Sequence, residues 1–489
     1  MEDRRKRMLL ASESCQGHAT TEVLIGTLSN LPDQVIHHIL SFLQIKDLTS
    51  FGCVSKRCRE FYLSTPSLNF EGFSSKHLES YSRRLRLWSY LDRYLFNREF
   101  NRIQRFRIHW ERYDEERCRN HWGYYDEEHE KSLIEDERFR LEKWICNAIR
   151  CNVEDLDINF GICYDEEAVR LPSSRYLKSL SVYGRIHKLK CLKLNNVGVV
   201  DEGLFKWISS SCKCIKELFL RFVRGRKPMD VTIESSSLES LYIEDVTTLR
   251  HLHIAGDKIR KVIIECLFWT DKDQYFSLCA PNLSSFNWIG SLVNRPDIGR
   301  LELLEEASIC LSPSNAAFVY VSEILSCLSS VKVLTLNKAT TMALIKGGSM
   351  PLLKNVTSLR IHIEGFLNTL VPTMASLLGG MSKLNVLIVK SDLVLRDPKD
   401  ECCWFDMGYW KLQNIAFINQ LKEITIELCC GSNGIEFATY ILEHAQNLNK
   451  MTIVHSPQQS IAMSKLKKSK MTSNITLDFQ EDQRRGPQK

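Results

Sequence analysis

The stretch LESLYIEDVTTLRHLHIAGDKIRKVIIEC, residues 238–266, decides the fold. One spacing occurs in it three times: an apolar residue, two variable residues, an apolar residue, one variable residue, an apolar residue. Leu238-Leu241-Ile243, Leu249-Leu252-Ile254 and Ile259-Val262-Ile264 all fit. The last two positions of each set lie two residues apart, the period at which a strand returns its side chains to one face. Each set therefore predicts a short strand with one apolar face. A single unit cannot bury that face, but a stack of units can, by pairing their strands into a parallel sheet.

Working outward, the spacing recurs fifteen times, from Ile103-Phe106-Ile108 to Leu448-Met451-Ile453, and includes Leu177-Leu180-Val182 and Leu189-Leu192-Leu194. Most successive starts lie about 21 to 28 residues apart, which is the period of leucine-rich repeats. A few intervals near 10 to 12 residues read as truncated repeats. Gly203 to Ser211 and Phe318 to Ser329 read as helical return segments. Asn195 and Asn337 directly follow inward residues, where a side-chain amide can satisfy turning backbone groups. The predicted fold class is α/β, with a curved solenoid whose parallel strands line the concave face and whose helices or loops lie outside.

Composition excludes several classes. The 489 residues are 44% hydrophobic and 25% charged, which is unlike disordered, collagen-like or disulfide-scaffold chains. Uncharged stretches such as Phe366 to Ser382 are interrupted by Pro372, Gly379 and Gly380, so none reads as the ~20-residue apolar span that crosses a bilayer. Arg4 to Arg7 precede only Met8 to Ala11, too short for the apolar core of about 7 to 15 residues in a secretory signal. The expectation is a soluble chain in nucleus or cytoplasm, with its 18 cysteines reduced. The basic clusters at Arg4 to Arg7 and Lys465 to Lys470 lean toward the nucleus. A net charge of +6 supports neither a nucleic-acid nor a membrane partner. Lys76 to Arg107 carries nine basic residues against three acidic, and Glu111 to Arg140 eleven acidic against six basic. Two readings stand for that polarity: a solvated connector with an insertion loop, or a docking patch for a charged partner.

Ahead of the repeats lies Leu28 to Leu68. Pro32 suits the first turn of a helix, and Asp33 complements its dipole. Val35, Ile36, Ile39, Leu40 and Leu43 follow at helical spacing. Asp47 is the expected cap of a second helix, with Leu48 and Phe51 inward, and Ser55 caps a third that runs to about Leu63. Three short helices over about 40 residues cannot bury this apolar surface alone, so the module completes its core against a partner. The string Leu31-Pro32-Asp33, Ile39-Leu40-Ser41-Phe42-Leu43, Asp47-Leu48, Val54-Ser55-Lys56-Arg57 resembles an F-box. That resemblance implies docking on a Skp-type adaptor and, through it, on the cullin and RING subunits of a ubiquitin ligase. The implied adaptor-binding residues are Leu31, Pro32, Ile36, Leu40, Leu43, Val54, Lys56, Arg57 and Cys58. Cys58 stands where many members carry a bulky aromatic, so Cys58→Trp is expected to tighten the contact.

Beyond about Phe366 the texture resembles the FBD region of plant F-box/LRR proteins. It is carried by Leu384-Asn385-Val386-Leu387, Leu421-Lys422-Glu423-Ile424-Thr425-Ile426, Ile435 to Leu442 and Leu448 to Ile453. Read from the residues alone, it also fits a continuation of the solenoid. The expected organisation is a disordered 1–27, an F-box over 28–75, a solenoid over 76–365, an FBD-like continuation over 366–480 and a disordered tail over 481–489.

No catalytic motif survives inspection. Cys53 and Arg59 have phosphatase-loop spacing, but no glycine between them eases a backbone nest. The cysteine pairs 212/214, 402/403 and 429/430 lack zinc-finger partners and read as buried thiols, so neither metal nor cofactor is expected. The resemblance therefore implies a non-catalytic substrate-recognition subunit of an SCF-type ligase. A non-degradative adaptor-bound scaffold and a small-molecule receptor are the alternatives. For an unknown target protein, the outward positions of the middle strands nominate Tyr183, Lys193, Phe219, Arg221, Tyr242 and His253, on strands expected to be neighbours. The competing reading has a loop or the Glu111 to Arg140 insertion covering those rings.

Overall fold

The computed structural model describes residues 31–71, 81–98, 101–110, 127–160, 188–199, 201–266, 268, 274–312, 318–347, 351–391, 403–413, 415–428, 432–455, 466 and 475–482. The chain divides into two compact units, Met1–Pro172 with Lys178–Asn196, and Ser173–Leu177 with Val197–Lys489.

The first unit opens with three helices, α1 (Asp33–Leu40), α2 (Ile45–Gly52) and α3 (Lys56–Ser64). Pro32 sits at the N-cap of α1, where its missing N–H leaves nothing unpaired. The Ser55 hydroxyl accepts the Cys58 N–H at 3.1 Å and caps α3 as predicted. Asp47 differs from expectation. Gln44 is the N-cap of α2 and Asp47 lies inside the first turn, where its charge still complements the helix dipole.

Next come β1 (Ser67–Phe70), α4 (Tyr81–Asn97), β2 (Arg105–His109), α5 (Glu127–Arg150), β3 (Asp155–Asn159) and β4 (Cys191–Asn195). The strands pair in parallel in chain order. Their inward residues are buried, and the other face carries opposite charges on neighbouring strands. Arg105 bonds Asp155 at 3.1 Å and Arg107 bonds Asp157 at 3.2 Å. Trp110 follows β2, and its Nε1–H donates to the buried Glu137 carboxylate of α5 at 2.5 Å.

The second unit begins with β5 (Gly198–Val199), α6 (Gly203–Ser211), β6 (Glu217–Arg221), β7 (Arg224–Glu234), β8 (Ser240–Glu244), β9 (Thr247–Ala255) and β10 (Lys261–Cys266). It continues through β11 (Tyr275–Cys279), β12 (Ser285–Ser291), β13 (Arg295–Ile298) and β14 (Glu306–Ser312). Helices then take over the return segments: α7 (Phe318–Cys327), β15 (Val333–Asn337), α8 (Lys338–Lys346), β16 (Ser358–Ile363), α9 (Val371–Gly379) and β17 (Val386–Ser391). The remainder is α10 (Met407–Leu412), β18 (Glu423–Glu427), α11 (Asn433–His444), β19 (Lys450–His455) and β20 (Thr476–Glu481). Glu481 thus belongs to a strand paired with β19 and not to the tail expected over 481–489.

One long sheet in this unit runs β6-β8-β10-β12-β14-β15-β16-β17-β18-β19-β20, and a second runs β13-β11-β9-β7-β5. All the pairings given for both sheets are parallel. The α/β repeat architecture is therefore present, with one difference. Between 224 and 298 the return segments are strands, so the Leu249-Leu252-Ile254 set is not a truncated repeat but the second-sheet strand β9. Both sheets turn apolar faces to a shared core. Phe276 of β11 meets Trp288 of β12 edge-on, with ring centroids 4.8 Å apart.

Every described member of the repeated spacing is buried, from Ile103 to Ile453. The set at 177–182 lies outside the described residues. Asn337 acts as expected: its amide donates to Leu311 O at 3.1 Å and its side-chain oxygen accepts Thr340 N–H at 2.8 Å. The Asn195 side-chain oxygen does not, being buried without a hydrogen bond. Gly290 has φ +127°, and a Cβ there would stand 2.0 Å from Cys266 O, so only glycine fits where β10 and β12 approach.

Candidate functional site

Two surfaces carry features that folding alone does not explain. The first is on the helical module. Ile36, Leu40, Ile45, Leu48, Cys58 and Phe61 are buried and form its interior. Part of the remaining apolar surface is covered by α4 of the same unit. The Tyr62 and Tyr90 hydroxyls bond at 2.6 Å, Tyr90 also meets the Thr49 hydroxyl, and Tyr94 OH donates to Tyr62 O at 3.1 Å. Burial raises the pKa of both Tyr62 and Tyr94, that of Tyr94 to about 12, so both hydroxyls stay protonated donors.

A second apolar surface stays uncovered on α1 and the turn after it. Val35 is 41% exposed, Ile39 43% and Phe42 74%. Val35 and Ile39 lie at i and i+4 of α1 and so share one face, and Phe42 follows in the turn after the helix. Val54, just before α3, is 43% exposed, and Pro32 is exposed too. Arg57 reaches Asp33 at 3.8 Å and lies over the Phe61 ring at 5.5 Å, which draws the starts of α1 and α3 together. Of the residues expected to bind the adaptor, Pro32, Val54, Lys56 and Arg57 are exposed, and Leu31 and Leu43 are half-buried. Ile36, Leu40 and Cys58 are 1%, 2% and 5% exposed, so they shape the surface from beneath. An indole at 58 would have to displace neighbours, which removes the basis for expecting Cys58→Trp to tighten docking.

The sequence reading placed Val35 and Ile39 at helical spacing and Phe42 in the F-box string, but named none of them as surface. The signal was available. An eight-residue helix that spends Ile36 and Leu40 on its core and still carries Val35 and Ile39 has one apolar stripe more than folding needs.

The second surface is the outward face of the long sheet. Phe219 and Tyr242 are register partners on β6 and β8, and their rings stack with centroids 4.3 Å apart at 10°. Arg221 pairs with Glu244 at 2.9 Å. These three expected target-binding residues are thus brought together. Tyr183 lies outside the described residues. Lys193 sits on β4 of the first unit. At Asp157, burial pushes the carboxyl's pKa up, but the His109 hydrogen bond and the nearby His109, Arg107 and Lys193 side chains hold it below its usual value. His253 is on β9 of the second sheet, facing Glu234 at 3.6 Å, so the expectation of neighbouring strands fails for it.

The cysteine pairs split. Cys212 is buried, with its thiol pushed up to about 12 by desolvation, whereas Cys214 and Cys403 are exposed. Cys402, Cys429 and Cys430 lie outside the described residues. Among the described residues no group of three or more His, Cys, Asp or Glu is arranged to hold a metal, and no helix is long and apolar enough to cross a membrane.

The comparisons agree with this geometry. Residues 28–61 match the F-box domain family, so α1 to the middle of α3 constitute an F-box. An F-box/LRR-repeat protein of Arabidopsis thaliana is 24% identical over 402 residues, 76% of this chain and 78% of the relative. An F-box/FBD/LRR-repeat protein of the same plant is 23% identical over 478 residues, 92% of this chain and 95% of the relative. A second F-box/FBD/LRR-repeat protein of the same plant is 24% identical over 487 residues, 88% and 89% of the two chains. The F-box, leucine-rich-repeat and FBD features resembled in the sequence are those in the relatives' names, and the F-box marks a protein–protein interaction role.

Proposed function

We propose that this chain is the substrate-recognition subunit of an SCF-type cullin ubiquitin ligase. The exposed stripe Val35, Ile39 and Phe42, with Pro32 and Val54, docks on a Skp-type adaptor, which links the chain to cullin and RING subunits. The long sheet of the second unit holds a target protein. Ubiquitin chemistry takes place on other subunits, and this chain contributes proximity, raising the effective concentration of target lysines beside the conjugating enzyme. The observation that carries the reading is the apolar stripe left bare inside the residues matched as F-box. Nuclear or cytoplasmic residence belongs to the same proposal, and imaging of a fluorescent fusion tests it.

The decisive experiment is co-purification of the full chain with a Skp-type adaptor, followed by the half-life of captured proteins with and without the chain. The Leu31→Ala/Pro32→Ala double variant is expected to lose the adaptor while keeping its thermal midpoint. Unchanged adaptor recovery overturns the assignment. Adaptor binding without any change in target half-life would make the chain a non-degradative scaffold instead.

A further inference from the structure

Strands β6, β8 and β10 place Phe219, Tyr242 and Ile263 in one row across the long sheet, each half-buried and each in register with the next. Further along the same row stand Asn287, Ser308, Thr335 and Arg360 before the next apolar residue, Ile388, so in this unit the contiguous apolar run covers these three strands. The row beside it, toward the strand ends, reads Arg221, Glu244, Glu265. Arg221 is engaged by Glu244 at 2.9 Å. Glu265 stands directly opposite Glu244 and forms no ion pair among the described residues. Asp245 follows, exposed. Two carboxylates thus stand directly opposite one another with one guanidinium paired to the first, and a like-charge pair directly across a sheet is destabilising unless something compensates it. The row on the other side of the apolar one reads Glu217, Ser240, Lys261, and there Lys261 Nζ lies 5.3 Å from the Tyr242 ring centroid.

We infer that this patch receives an extended segment of a target polypeptide carrying an aromatic or branched apolar side chain next to an arginine or lysine. The apolar side chain lies along Phe219, Tyr242 and Ile263. The cation enters between Glu244 and Glu265, where it offsets a repulsion already present in the free sheet. Charge complementarity therefore selects the partner: an acidic neighbour to the apolar anchor would meet two carboxylates, and a neutral one would leave Glu265 opposite Glu244 with no counter-charge of its own. The inference rests on the proposed target-binding role of the sheet and names the chemistry of what it binds.

The test uses the full chain with its adaptor and a phage-displayed library of random 12-residue peptides. The expected selection is an aromatic or branched apolar residue within three positions of arginine or lysine. Repeating it on the Glu265→Lys variant should replace the basic preference with an acidic one, and on Tyr242→Ala should remove the apolar preference. A synthetic peptide from the first selection should bind Glu265→Lys at least tenfold more weakly, and its charge-reversed version should bind that variant more tightly. Glu265→Gln, which keeps the side chain's size, should give an intermediate loss if the lysine variant proves unstable. An unaltered basic preference on Glu265→Lys overturns the inference, as does a failure to select any peptide. Self-association of the chain that disappears with Tyr242→Ala also overturns it, since the row is then a contact between copies. Adaptor recovery from the same preparations separates the two readings. Its loss strikes the proposed function, whereas its retention without peptide selection strikes the patch alone.

Discussion

Phe42 offers the sharpest separation of docking from folding. Its ring is 74% exposed, and its only described ring neighbour is His38, edge-on with centroids 5.1 Å apart. An aromatic side chain buries about 150 to 250 Å², so covering the exposed three quarters removes roughly 110 to 190 Å² from water. At about 25 cal/mol per Å² that is on the order of 3 to 5 kcal/mol. Ordering the side chain and the association itself take back part of this, which leaves about 2 to 3 kcal/mol for Phe42→Ala. The adaptor Kd should therefore weaken by about 30- to 150-fold. Removing an exposed ring should leave the thermal midpoint of the free chain unchanged within about 2 °C. Ile36, its near neighbour on α1, is 1% exposed, and Ile36→Ala should instead cost about 2 to 5 kcal/mol of folding stability. Calorimetric titration with the adaptor and thermal melting of the chain read the two effects. A Phe42→Ala variant that binds within twofold of the parent would refute the assignment of this stripe as the docking face.

Other expectations follow from particular contacts. Gly290→Ala puts a Cβ against the Cys266 carbonyl at an unfavourable φ, so urea denaturation should show a loss of at least about 1 to 3 kcal/mol. Cys58→Trp overfills a site that is 5% exposed and should lower the melting temperature without tightening adaptor binding. The Asp157 carboxyl has a depressed pKa in the folded chain, so its contribution is complete above the unfolded value of about 4 and is lost as pH falls through the lower folded value. The stability difference between the parent and Asp157→Asn should accordingly shrink between about pH 5 and pH 2, and a difference that stays constant would show that the carboxylate's charge is not what matters.

Much of this architecture was legible in the residues themselves. The buried positions of the repeats, the Ser55 cap, and the helices at Gly203–Ser211 and Phe318–Cys327 all follow from periodicity and side-chain chemistry read locally. The F-box stripe was half legible. Periodicity finds the apolar positions of α1 but cannot say which of two adjacent faces is covered, because that depends on how α3 meets it, with His37 against Ser64 and Phe61. The fate of Cys58 was hidden for a related reason, since a position compared with an aromatic one gives no measure of the space around it.

The outward face of the long sheet shows a deeper limit of pattern reading. A strand on the long sheet and a strand returning behind it obey the same rule: alternate residues go inward and the rest go out. Tyr242 and His253 occupy the same place in the same apolar spacing, yet Tyr242 lies on β8 of the long sheet and His253 on β9 of the second. What distinguishes them is the interval, since Leu238 to Leu249 and Leu249 to Ile259 are each about half a repeat. Two short intervals in succession add up to one full turn of the chain, with the middle strand behind the other two. Counting turns in place of matches moves His253 off the long sheet and makes Tyr242 the direct neighbour of Ile263, which is the pairing that β8 and β10 form. The acid excess at Glu244 and Glu265 becomes visible only after that step, because it takes the correct strand neighbours to put two carboxylates opposite one another.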